Sequence, residues 1–326
     1  MKPDERRRRR RRRSHHHPLR WRLEFVLAWL ATAWIRALPE RAALALGAWL
    51  GRLAPSCLPR RARLVRENLR LVHPDWSETR REALLRANFV ELGRCMAEWA
   101  RLPDLDAGSL QERVELEGLE HLRAALARGR GALVVTAHYG LWELIPAAVR
   151  AHLPGLDVAA VGRTLRNPYL FDLIVRRREA GGGELLPQEA RAILRALRRG
   201  VAIGILIDQY TSERRTGVLA PFLGLRAWTN AGPATLALRT GAPVLPVHVR
   251  RREGVRHVIV LGPEIPPPAS GELRADVLEL TARINRAVGA FIEDDPVPWL
   301  WSHRRFRRSP DAPAGVYGER TPSARG

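Results

Sequence analysis

A chain of 326 residues with ordinary apolar content can bury one large α/β core plus an accessory segment, or two modest domains. Its formal net charge of +21 rests almost wholly on arginine, and a surface so charged must meet an anionic partner: phospholipid headgroups, nucleic acid, or an acidic carrier protein or cofactor. Cys57 and Cys95, the only cysteines, exclude a disulfide framework and have no metal-ligand spacing, so a reduced setting and no metal site are expected.

In chain order, residues 1–18 form an Arg/His-rich tail, with eight arginines from Arg6 to Arg13 and then His15 to His17. Self-repulsion and low hydrophobicity predict disorder there. The tail lacks the aromatic interleaving of a nucleic-acid arm and stands directly before an apolar helix, which favours a cytoplasmic electrostatic anchor. That helix, Trp21 to Leu38, is almost long enough to span a bilayer but is interrupted by Glu24 and Arg36, so either a short span or an interfacial helix is expected. No A-x-A cleavage signal follows it, as a secretory signal peptide would require. Further helices are predicted over Arg41–Leu53, Arg60–Val72, and from a Ser77 cap to about Ala100, making residues 19–100 a helical membrane-associated region.

From Leu102 short strands alternate with helices. Strands are predicted at Val114–Leu116 (an edge), Ala132–Ala137, Asp157–Gly162, Val201–Asp208, Val244–Val249 and His257–Gly262. Helices are predicted at Gly118–Arg128, Asn167–Ala180, Gln188–Arg199, Ala231–Thr240 and Leu273–Ile292. The alternation predicts an α/β fold over residues 101–308, a mixed, largely parallel sheet flanked by helices, with residues 309–326 as a disordered tail.

The run Ala132–Ala137 reads as a buried strand with His138 at its carboxyl end, where open α/β sheets place their ligands. Glu143 follows five residues on. On one continuous helix the two would be rotated by about 140° from each other, so they meet only if His138 belongs to the turn and Glu143 to the first helical turn. A carboxylate on one imidazole nitrogen fixes the tautomer and leaves the other nitrogen free to take a proton from a hydroxyl. His138 is thus a candidate general base with Glu143 as its orienter. An ordinary surface or core histidine beside a glutamate is the alternative.

Three more clusters fall at strand ends or loops: Gly162–Pro168 with Arg163 and Arg166, Asp208-Gln209-Tyr210, and Pro298–Phe306 with Arg304 and Arg305. His-x4-Glu, then Gly-Arg...Asn-Pro, then Asp-Gln...Gly-Val...Pro-Phe-x-Gly, then Thr-Gly-Ala-Pro-Val-x-Pro-Val, then Trp-Leu-Trp-x-His-Arg-Arg-Phe resembles the late acyltransferases of lipid A biosynthesis. That family belongs to the lysophospholipid and glycerophosphate acyltransferase superfamily. The resemblance runs from about Trp21 to Arg308 and includes Arg66-Glu67-Asn68-Leu69. It implies a membrane-bound enzyme on the cytoplasmic face of the cell inner membrane. Such an enzyme moves a fatty acyl group from an acyl carrier protein thioester, or from acyl-CoA, to a hydroxyl of a lipid A precursor, with no bound cofactor.

An alcohol attacks a thioester poorly unless a base removes its proton, the role assigned to His138. Arg163, Arg166, Asp208, Gln209, Arg304 and Arg305 are then candidate substrate-binding residues: Arg163 and Arg166 for phosphate or thioester recognition by planar bidentate contacts, Asp208 and Gln209 to position donor or acceptor or complete the base's environment, and Arg304 and Arg305 turned toward headgroups. Helix caps and structural packing are their alternatives. One position departs from the family: its first motif commonly reads His-x-Gly-Asn-Trp-Glu, and here Leu141 replaces the Asn. That change bears on the acceptor, and a rival enzyme uses acyl-CoA on another glycolipid, of the phosphatidylinositol mannoside type. A basic nucleic-acid-binding protein and a catalytically silent homologue are the readings from other classes; no specific nucleic acid is expected.

Overall fold

The computed structural model describes residues 18–318 apart from 163–164, 181–182 and 214–215. The arginine run of the tail lies outside the described residues. Four helices come first: α1 (Pro18–Ala37), α2 (Glu40–Cys57), α3 (Pro59–Val72) and α4 (Glu78–Arg101). Pro59 opens α3, where its missing N–H costs nothing, and the Ser77 hydroxyl caps α4 by accepting from the Arg80 N–H at 3.2 Å. Gly47 and Gly51 let α2 lie backbone against backbone on α4, since a Cβ at either would stand 2.4 Å from a carbonyl oxygen of Gly93 or Phe89.

The remainder is α5 (Ala107–Arg113), β1 (Val114–Glu117), α6 (Leu119–Leu126), β2 (Ala132–Thr136), α7 (Leu144–His152), β3 (Val158–Gly162), α8 (Pro168–Ala180), β4 (Glu184–Pro187), α9 (Ala190–Arg198), β5 (Ala202–Leu206), β6 (Gly217–Phe222), β7 (Leu225–Asn230), α10 (Gly232–Thr240), β8 (Val244–Arg251), β9 (His257–Leu261) and α11 (Leu273–Asp294). Seven strands form one sheet in the order β1-β9-β8-β2-β5-β3-β4. Every neighbouring pair is parallel except β8 and β9, so the sheet is mixed and largely parallel, as the alternation predicts. β6 and β7 make a separate antiparallel hairpin.

Alternation along β2 divides the core. Leu133 and Val135 pack with α3, α4, α9, α10 and α11, whereas Ala132 and Val134 face α5, α6 and α7. Since α3 and α4 contribute Val65, Leu69, Leu85 and Phe89 to the first cluster, the N-terminal helices share the core of the sheet. Buried charge reinforces this: Arg251 of β8 bridges Glu91 at 2.8 Å and Glu98 at 2.5 Å on α4, and His257 of β9 meets Glu98 at 2.8 Å.

The segment 297–303 is held from both edges. Its odd-numbered carbonyls all turn toward α3 and α4. Asn88 donates to Val297 and Trp299 at 2.6 and 2.7 Å, and Asn68 donates to Trp301 and His303 at 2.6 and 2.7 Å. The even-numbered backbone turns the other way, with Gly140 N–H donating to Pro298 and Leu300 N–H to His138. This explains the asparagine of Arg66-Glu67-Asn68-Leu69: it is a fully buried clamp.

Two expectations need correction. Residues 309–318, expected to lie in a disordered tail, are packed: Asp311 pairs with Arg226, and buried Tyr317 donates to Asn68 at 2.5 Å. No helix among the described residues is long and apolar enough to cross a membrane, so the short-span alternative for α1 falls. Polar groups shorten its apolar run. Glu24 accepts from Arg20 and from Asn167, which also caps α8 by accepting from the Tyr169 and Leu170 N–H groups. The Asn167-Pro168 pair is therefore a helix start.

Candidate active site

β2 and β5 are adjacent parallel strands with Thr136 opposite Leu206. Two residues beyond each stand His138 and Asp208, so strand register alone brings them side by side. The contact is direct: His138 Nδ1 lies 2.8 Å from Asp208 Oδ1, and the His138 backbone N–H donates to Oδ2 at 3.1 Å. The Trp299 indole N–H also donates to Oδ2, at 2.9 Å. Gly140 makes the turn possible, with φ of +55° and no room for a Cβ, which would stand 2.8 Å from the Val249 carbonyl oxygen.

Asp208 is 3% exposed, and burial alone would raise its pKa; the charge and ring N–H of His138, the Trp299 indole and the His138 backbone N–H outweigh this and bring it down to about 2. A carboxylate held ionised can only accept, so His138 carries its proton on Nδ1 and presents Nε2 as a lone pair. The Gln209 amide nitrogen rests 3.3 Å from that Nε2. Burial pulls the His138 pKa down, yet the charge and hydrogen bond of Asp208, joined by the charge of Glu143, carry it above 6.5. His303 lies within reach of both charges, and burial lowers it to about 4, so it stays neutral near the pair.

The orienter expected from the sequence is therefore the wrong carboxylate. Glu143 stands just before α7 and gives both oxygens to the Arg178 guanidinium of α8, with Nε to Oε2 at 2.8 Å and Nη2 to Oε1 closer still. Its field reaches His138 while its hydrogen bonds go elsewhere. Two consequences are expected. Glu143→Gln costs less turnover than Asp208→Asn. Arg178→Met, which leaves Glu143 without its partner, lowers stability by about 1–3 kcal/mol because the pair is only partly exposed. The double variant regains most of that loss, as a thermal denaturation cycle would read.

The other candidates divide. Gln209 joins the pair. Arg163 lies outside the described residues, and Arg166 and Arg304 are exposed. Arg305 is not placed to meet a substrate: it is completely buried, donates to the Trp228 carbonyl at 2.8 Å and the Thr229 hydroxyl at 2.7 Å, and lies over the Phe222 ring. It pins the β6–β7 hairpin beneath the site. Among the described residues no cluster of His, Cys, Asp and Glu side chains is arranged to hold a metal ion. Sequence reasoning singles out the Pro298–Phe306 cluster without giving Trp299 its contact with Asp208, and nothing in it marks Asn88.

Trp142 stands edge-on to the His138 ring, centroids 5.0 Å apart, and lines a cavity between the sheet and α7 that opens to solvent, with about 700 Å³ of empty space when that solvent is included. Its walls are overwhelmingly apolar, and polar groups gather where Thr136, Glu143 and Arg178 meet it.

A family model described as bacterial lipid A biosynthesis acyltransferase matches residues 9–308. The chain belongs to this family. It is 28% identical over 283 residues to the lipid A biosynthesis lauroyltransferase of Escherichia coli (strain K12), covering 86% of this chain and 90% of that one. It is 28% identical over 288 residues to the palmitoleoyltransferase of the same strain, covering 87% and 90%. A phosphatidylinositol mannoside acyltransferase of Mycolicibacterium smegmatis is 32% identical over 177 residues, which is 51% of this chain and 55% of that one. The protein is accordingly an acyltransferase of the lipid A biosynthesis family.

Proposed function

We propose that the protein transfers a fatty acyl group from an acyl carrier protein thioester, or from acyl-CoA, to a hydroxyl of a lipid A precursor, with His138 as general base and Asp208 as its orienter. The observation that carries this reading is the imidazole held at Nδ1 by an ionised, buried carboxylate, with Nε2 beside the Gln209 amide and the ring edge-on to Trp142, which lines an apolar cavity. The acceptor hydroxyl displaces the Gln209 amide from Nε2 and gives up its proton there as its oxygen attacks the thioester carbonyl. The developing oxyanion takes its hydrogen bonds from backbone N–H groups at the helix start after His138. The C–S bond then breaks, and the departing thiolate takes the proton from the imidazolium, which Asp208 stabilises meanwhile. The cavity holds the acyl chain.

A second reading has one observation in its favour. Leu141 stands where the lipid A enzymes commonly carry Asn, and the similarity to a phosphatidylinositol mannoside acyltransferase is the higher in identity over the shorter span. Purified protein in detergent micelles, supplied in turn with acyl carrier protein and CoA thioesters and with each glycolipid acceptor, separates the two by the mass of the product. Absence of acylated product in every combination would overturn both.

The reading extends to location. One stripe of α1, formed by Leu19, Leu23, Leu27, Leu30 and Trp34, points outward; Leu19 is 79% exposed and Trp34 57%. These positions recur at helical spacing among Arg20, Arg22 and Arg36, the pattern of a helix lying in a headgroup layer. We place this face on the anionic cytoplasmic surface of the inner membrane. Replacing Leu23, Leu27 and Leu30 together with Glu is expected to weaken binding to phosphatidylglycerol vesicles by about tenfold or more in a sedimentation assay. Unchanged sedimentation would remove α1 from the contact.

A further inference from the structure

β5 lies between two parallel neighbours, β2 and β3, and such a strand is normally covered on both faces. Ile203 and Ile205 obey the rule and are buried in the core toward α9 and α10. On the opposite face only Ala202 is fully buried; Gly204 and Leu206 are not. That is the face turned to the cavity beneath α7, and Ala202, Gly204 and Leu206 all line it.

Gly204 is an odd choice for such a position. Glycine weakens a strand interior, and where it occurs it marks a bulge, a second backbone passing close by, or a ligand. The first two causes are absent. The residue is in regular register, opposite Val134 on one side and Ala160 on the other, without a left-handed φ. A Cβ built on it would meet nothing nearer than the Ala159 carbonyl oxygen at 3.6 Å, an ordinary contact. What a side chain would fill is the cavity.

The register also gives depth. Leu206 stands level with Thr136, two residues before His138, and Gly204 lies two residues further from the site, about 7 Å deeper along the strand, with Ala202 beyond it. A chain whose carbonyl end is at His138 must pass over Gly204 to use the rest of the space. We infer that Gly204 is a specificity-determining residue for acyl-chain length: its missing side chain leaves open the deeper part of the cavity, and any substituent there shortens the longest chain accepted. The inference rests on the acyl-transfer reading for the identity of the ligand.

The test compares the wild type with Gly204→Ala and Gly204→Val, using homologous series of saturated acyl-CoA and acyl carrier protein thioesters, with a lipid A precursor and a phosphatidylinositol mannoside in turn as acceptor. Ile203→Val, on the opposite face of the same strand, serves as control. The optimum is expected to move to shorter chains in the Ala variant and further in the Val variant. For the longest chain the wild type uses well, kcat/KM falls roughly tenfold or more for each methylene left without space. The melting temperature should not fall, because both residues suit a strand better than glycine does. A second readout needs no turnover: stabilisation of each protein against heat by saturated fatty acids of increasing length.

If the wild type transfers no acyl group but its stabilisation by fatty acids has a length cut-off that shortens in the variants, the transfer reading fails and the role of Gly204 stands. If Gly204→Val does not fold, Gly204→Ala, whose methyl has room, carries the comparison. A folded variant with the wild-type length profile in both turnover and stabilisation overturns the proposal.

Discussion

His138→Ala is expected to lower kcat by about 10²–10⁴-fold while the KM for the acyl donor stays within a few-fold. The loss is that of a proton acceptor, not of a binding group: the cavity, the Glu143–Arg178 pair and the outward face of α1 do not depend on the imidazole. Product formation measured by mass at saturating donor is the readout. Turnover within threefold or so of wild type would show that the histidine is not the base, and would favour a silent or differently equipped site. The melting temperature is read alongside, because the variant leaves the buried Asp208 carboxylate with only the backbone N–H at 138 and the Trp299 indole as donors.

Asp208→Asn should cost nearly as much, about 10²–10⁴-fold in kcat, for a different reason. The amide can donate its own N–H to Nδ1, which would move the ring proton to Nε2, the nitrogen needed as acceptor. The pH profile distinguishes this from simple damage. In the wild type His138 titrates above 6.5, so kcat/KM rises as pH climbs through that raised value and the base becomes neutral. Without the Asp208 charge, burial is left as the main influence and the acid limb moves to lower pH. An acid limb unmoved in the variant would mean that the carboxylate does not act on the histidine.

The same shifts set the sign of the pH dependence of stability. The stabilisation from Asp208, whose pKa is depressed from 3.8 to about 2, is present above the ordinary value and lost as pH falls toward the depressed one. The stabilisation from His138, whose pKa is raised, is full below 6.5 and lost as pH rises through the raised value.

Much of this architecture is legible in the chain. The apolar β-branched run before His138 reads as a strand, and its partner Ile203–Ile207 reads as another, because buried parallel strands need little besides such runs. What periodicity cannot supply is which strands are neighbours. The carboxylate nearest His138 in sequence is five residues away, and the one that binds it is seventy positions on, made adjacent by the pairing of Thr136 with Leu206. Glu143 was lost to Arg178, one of several arginines in succession, and nothing local says which of them turns toward α7.

The β6–β7 hairpin is not among the predicted strands because its signals are poor. Pro221 sits inside the first strand, and the turn uses Leu223 at φ +48° followed by Gly224, in place of an Asn-Gly pair. β4 ends in a proline for similar effect. Arg305 was misplaced on general grounds, since an arginine is rarely buried unless paired, and here backbone and hydroxyl acceptors stand in for the carboxylate.

The clamped segment 297–303 has a consequence for synthesis. Its bonds to Asn68 span more than two hundred residues, and Trp299 must arrive before the Asp208 carboxylate has its indole donor. A nascent chain that already displays His138 and Asp208 therefore still lacks the piece that sets them until residues 297–303 have been made and docked on Asn68 and Asn88.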